Sequence, residues 1–130
     1  MHVQTQFSIF LVNRPGVLAG LTTALGEAKV NLEALCLVDS GESGVLRIVS
    51  EDPDAVRAVL GKEHDRWTET DVLVLDMSNT PGGFAAVARM LADGGVNILY
   101  AYCTAGIDVK RNIAVFKVAD LEKARQILAG

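Results

Sequence analysis

The chain has 130 residues, half of them apolar and 22% charged, enough to fill one ordinary core or two very small ones. A formal net charge of −4 without any cluster of Lys and Arg excludes a generic nucleic-acid backbone binder, which needs concentrated positive charge. The apolar runs are of strand length, too short to span a bilayer, and the polar start MHVQTQ lacks the basic and hydrophobic regions of a secretion signal, so the chain reads as cytoplasmic, with no membrane partner.

The first element is an alternating strand from about Val3 to Val12, with Phe7, Ile9 and Leu11 on one face. Asn13-Arg14-Pro15-Gly16 ends it. Pro15 suits the first turn of a helix, where its missing N–H would be unpaired anyway. The helix that follows spaces Val17, Leu18, Leu21, Leu25 and Ala28 along one stripe, and a second strand runs from about Val30 to Val38. SGESG turns the chain, VLRIVS is a third strand, and EDPDAVRAVLGK opens with an Asp N-cap and Pro at the first helical position before burying Val56, Val59 and Leu60. That order is βαββα. DRWTET can supply a short, rather polar fourth strand before a second copy begins at Asp71.

The second copy is a duplication. Pro81 follows Pro15 by 66 positions, and the same offset carries Asn13 to Asn79, Gly16 to Gly82, Leu18 to Phe84, Leu25 to Leu91 and Val30-Asn31-Leu32 to Val96-Asn97-Ile98. It also carries Phe7, Ile9 and Leu11 onto Leu73, Leu75 and Met77. From Asp52 to Asp120 the offset is 68, so two extra residues enter the second copy, most simply in the turn AGIDVKRN. The copy ends after its second helix, so its last strand is missing. The sequence therefore divides into repeats 1–68 and 69–130. Both have the split βαβ pattern of ferredoxin-like α+β modules, with antiparallel sheets and helices on one face. The other face would show Ser8, Phe10 and Val12 in one copy and Val72, Val74 and Asp76 in the other, apolar enough to predict self-association.

With NRPGVL and NTPGGF at the first strand-to-helix turn, and VNL and VNI at the second strand, the chain resembles the ACT domain, a small amino-acid-sensing module, twice over. It is most similar to bacterial stand-alone proteins made of two tandem ACT repeats. The resemblance implies two βαββαβ repeats side by side, the second lacking its last strand. It also implies a free amino acid bound between modules, no cofactor, a homo-oligomer (a dimer or higher), and a metabolic enzyme as a further partner.

The residue chemistry fits that ligand. A free amino acid needs donors for its carboxylate and acceptors for its ammonium. The unpaired N–H groups at a helix start supply donors, and Gly16, Gly82 and Gly83 leave the backbone open to approach. Asn31 and Asn97 carry an amide that addresses both charged groups. The candidate ligand-binding set is Asn13, Arg14, Gly16, Val17, Leu18, Asn31 and Leu32 from the first repeat. From the second it is Asn79, Thr80, Gly82, Gly83, Phe84, Asn97 and Ile98.

Blander roles stand beside these. Asn13 and Asn79 also serve as turn formers, the glycines relieve turn strain, Asn31 and Asn97 can be structural caps, and Arg14 can be a solvated charge. Tyr100 and Tyr102, read as sharing a strand face with Ile98, are core residues or a pocket cap.

Catalysis has little to stand on. Cys36 or Cys103 with His64 is the one nucleophile and base pairing; neither cysteine sits where a thiolate is favoured, and both read as small buried hydrophobes. Their spacing gives no zinc-ligand pairs, and PGGFAA lacks the endings of phosphate-binding and dinucleotide loops. The alternative to a sensor is an oligomerisation or interaction scaffold of ACT fold that binds no ligand.

Overall fold

The computed structural model describes residues 1–40, 43–63, 65–104 and 110–129. Among them are six strands and four helices in the order β1 (His2–Val12), α1 (Val17–Glu27), β2 (Leu32–Ser40), β3 (Ser43–Ser50), α2 (Pro53–Glu63), β4 (Arg66–Ser78), α3 (Gly83–Asp93), β5 (Ile98–Thr104), β6 (Arg111–Val118) and α4 (Leu121–Ala129). This is the α+β, ferredoxin-like order read from the sequence. One difference is that DRWTET does not form a separate short strand. It runs on without a break into the opening strand of the second repeat as the 13-residue β4.

Two compact units result, Thr5–Thr70 and Asp71–Gly130 with Met1–Gln4. In the first unit β3 pairs antiparallel with both β1 and β2, and α1 packs beside α2. Its core gathers Phe7, Ile9 and Leu11 of β1 with Leu46 and Ile48 of β3 and with Leu21, Leu25, Val56 and Leu60 of the helices. Both strands offer their residues by alternation and both helices by an i, i+3, i+4 stripe, so one side of each element is consumed.

In the second unit β6 pairs antiparallel with both β4 and β5, and α3 packs beside α4. Leu73, Leu75 and Met77 face Leu91, Ala114, Phe116 and Ala124, and Val3 packs against the same cluster. The chain's first four residues thus belong to the second unit.

Several local expectations need correction. Pro15 and Pro81 are not in the helices, which begin two residues later, at Val17 and Gly83. In each copy Gly16 or Gly82 sits between, with φ of 88° or 85° and ψ near zero. The N–H of Val17 donates to the Arg14 carbonyl at 3.3 Å, and that of Gly83 to the Thr80 carbonyl at 3.0 Å. Pro followed by a positive-φ Gly inside such a closed four-residue loop is a type II turn. Only after that turn does the helix start.

Tyr100 and Tyr102 do not share the face of Ile98. Ile98 pairs with Val118 but Tyr100 with Lys117, so β5 is bulged at Leu99 and every later side chain changes face. Ala101, not Tyr100, continues the core side. β2 has the same irregularity between Leu32 and Ala34.

Nor are the cysteines buried: Cys36 is half-buried and Cys103 exposed, and both are free. The outer face expected to lie open is only partly so. Phe10 and Val12 are exposed, but Val72 and Val74 are buried within the single chain. His64 and residues 105–109 of the AGIDVKRN turn lie outside the described residues. Among the described residues no helix is long and apolar enough to cross a membrane.

Candidate functional site

The two strand-to-helix turns carry most of the candidate residues. In the first, Asn13, Arg14 and Gly16 are exposed. Val17 and Leu18 are half-buried against the first core. The Arg14 N–H donates to the Val12 carbonyl at 2.9 Å and the Gly20 N–H to that of Gly16 at 2.9 Å. The Val17 N–H is spent on closing the turn, so the donors left by helix geometry are those of Leu18 and Ala19.

The second turn is tied down more firmly. Asn79 donates its N–H to the Lys110 carbonyl at 2.8 Å, and its Oδ1 accepts from Nδ2 of Asn112 at 3.2 Å. Ser78 Oγ and Thr80 Oγ1 lie 2.9 Å apart, hydrogen-bonded across the start of the turn. A Cβ on Gly83 would collide with the Ser78 carbonyl oxygen, so this glycine is required by the turn itself. Phe84 stacks on Phe116, with ring centroids 5.3 Å apart. The turn leaves the N–H groups of Phe84 and Ala85 as the donors beyond Gly83.

Asn112 was not singled out from the sequence. It is a polar side chain in the otherwise apolar strand NIAVF, opposite Met77 in the register, and its Oδ1 is buried with no hydrogen-bond partner. An asparagine on the core side of a strand was the available signal.

Asn31 and Asn97 stand just before β2 and β5, exposed, where each helix returns to a strand. Their neighbours Val30 and Val96 close the helix ends, donating to the carbonyls of Leu25 at 3.0 Å and Leu91 at 2.8 Å. These are Schellman closures with Lys29 and Gly95 in the left-handed region. Within a unit these asparagines are not beside the turn. β2 starts level with the Gln6 end of β1, and the turn follows Val12, six strand residues or about 20 Å away. Asn97 is likewise separated from the Asn79 turn. Leu32 and Ile98 pack against the two cores.

The fold and these turns define a tandem pair of ferredoxin-like modules, each with a type II Pro-Gly turn feeding its first helix. The chain belongs to the ACT domain pair family, whose model matches residues 1–129. It is similar to the crystal structure of protein BT0572 from Bacteroides thetaiotaomicron, with 33% identity and a TM-score of 0.91, covering 98% of this chain and 87% of that one. The ligand-free regulatory subunit of aspartate kinase from Thermus thermophilus shares the fold at 15% identity and a TM-score of 0.66, covering 99% and 94% of the two chains. Aspartate kinase from Synechocystis does so at 20% identity and a TM-score of 0.63, covering 97% of this chain and 24% of that one. No curated protein matches the chain.

Proposed function

We propose that this protein is a non-enzymatic sensor that binds a free amino acid at its strand-to-helix turn and thereby regulates a metabolic enzyme or pathway in the cytoplasm. The observation that carries the reading is the second turn. The Pro81-Gly82-Gly83 bend sets N–H donors at the start of α3, and Asn112, which holds Asn79, carries a buried side-chain amide oxygen with no hydrogen-bond partner. A ligand with an ammonium and a carboxylate has a use for both kinds of group. The likeness in fold to a regulatory subunit of aspartate kinase supports a regulatory role over a catalytic one.

Thermal denaturation in the presence of each of the twenty amino acids tests this. A ligand bound by the native state alone raises the melting temperature, by an amount that grows with concentration. If none does so at millimolar concentration, the reading falls.

The scaffold reading is favoured by a different observation: Phe10, Val12, Leu35, Leu37 and Val38 are all exposed on the first unit. Apolar surface of that extent suits a homo-oligomer. Light scattering that returns 13.8 kDa at micromolar concentration would count against both the oligomer and the scaffold.

A further inference from the structure

The chain passes between its two compact units twice, and both passages lie inside a strand. The first falls between Gln4 and Thr5, within β1, and the second between Thr70 and Asp71, within β4. Domains are ordinarily joined by exposed, flexible linkers rich in Pro, Gly and polar residues. Neither passage is of that kind. Gln4-Thr5-Gln6 and Glu69-Thr70-Asp71-Val72 hold no Gly or Pro; Gln4, Thr5 and Thr70 are half-buried, and Gln6 and Val72 are buried. Thr5, Thr70 and Val72 are β-branched and stiff at χ1, which suits an extended strand and not a hinge.

Each of these strands is spent in both cores. In β1, Val3 packs against the second core, while Phe7, Ile9 and Leu11 belong to the first. In β4, Trp67 packs against the first core, while Leu73, Leu75 and Met77 belong to the second. The short ends, Met1–Gln4 and Arg66–Thr70, each bring one apolar side chain to their core, Val3 or Trp67. Their alignment therefore comes from the longer part of the same strand, which is anchored in the other unit. Side chains alternate along a strand, so a slip of β1 or β4 by one residue would turn core residues outward in both units at once.

We propose that β1 and β4 couple the two repeats into one cooperative unit, so that a change of stability in either core is felt in full by the other. A ligand or partner held by one repeat then stabilises the other as well, by linkage. The coupling does not depend on what the strand-to-helix turns bind.

Trp67 is the chain's single tryptophan and reports on the first core. Phe116 belongs to the second core and Ile48 to the first. The test is urea unfolding of the whole chain, followed by Trp67 fluorescence and by far-ultraviolet circular dichroism, for wild type and Phe116→Leu. The two probes should give one coincident transition, and Phe116→Leu should lower both midpoints by the same amount. Hydrogen exchange of the native protein gives the reverse direction: Ile48→Val should speed the slowest amides of β3 and of β6 alike, by about three- to tenfold. If Phe116→Leu does not fold, Val118→Ala, also in the second core, takes its place. Two separate transitions, a Trp67 midpoint unmoved by the second-core variant, or faster exchange in β3 alone overturns the coupling, and the repeats then unfold independently.

Discussion

Gly83 lies so close to Ser78 that a side-chain carbon added to it would run into the Ser78 carbonyl oxygen, whereas Val17 fills the matching position of the first repeat. Two turns of the same type therefore tolerate different residues. Gly83→Ala should cost about 1 to 3 kcal/mol through the forced backbone shift, read as a lower midpoint in urea. Because this glycine serves the turn, a bulky substitution there reports on the turn before it reports on ligand access.

The helix-closing residues offer a cleaner comparison. Lys29 adopts φ of 62° where the second repeat has Gly95 at 77°. A side chain in that region costs about 1 to 2 kcal/mol, so Gly95→Ala should destabilise. Lys29→Gly should be neutral or stabilising by up to about 1 kcal/mol, since relief of strain is partly offset by a more flexible unfolded chain. Urea midpoints of the two variants should move in opposite directions, or only that of Gly95→Ala should move.

Asp52 and Asp120 cap the second helix of each repeat. Their Oδ1 atoms accept the N–H of Ala55 at 3.1 Å and of Lys123 at 3.0 Å. Replacing either with Ala should cost about 1 kcal/mol, and Asn should largely restore the loss. Denaturant titration of the four variants checks this.

One ion pair gives the stability a pH dependence. Arg57 donates from Nε to Glu69 Oε1 at 2.9 Å, and Trp67 Nε1 donates to Oε2 at 3.2 Å. The Arg57 hydrogen bond, aided by Trp67, holds the Glu69 carboxyl below its ordinary value of 4.5. A carboxyl depressed in the folded state stabilises fully above the unfolded value, and that contribution is lost as the pH falls through the folded value. Glu69→Gln should therefore lower the melting temperature slightly at pH 7. The gap to wild type should close as the pH falls below 4.5. Both side chains are partly exposed, so the gap should also shrink in high salt.

The sequence by itself determined the duplication, the βαββα order and the helix-facing core, because alternation in strands and the helical stripe are local patterns that burial must respect. Phe7, Ile9 and Leu11, and their counterparts Leu73, Leu75 and Met77, could be assigned to the core from spacing alone. It also marked the Pro-Gly turns and the Asp52 cap. Tertiary structure decided what depends on residues far apart in the chain. The bulge at Leu99 that turns Tyr100 away from Ile98 exists only in the pairing with β6. The tie from Asn112 to Asn79 spans 33 residues. Asn97 and the Asn79 turn both carry repeated motifs, yet α3 lies between them in the chain and a strand's length separates them in the sheet.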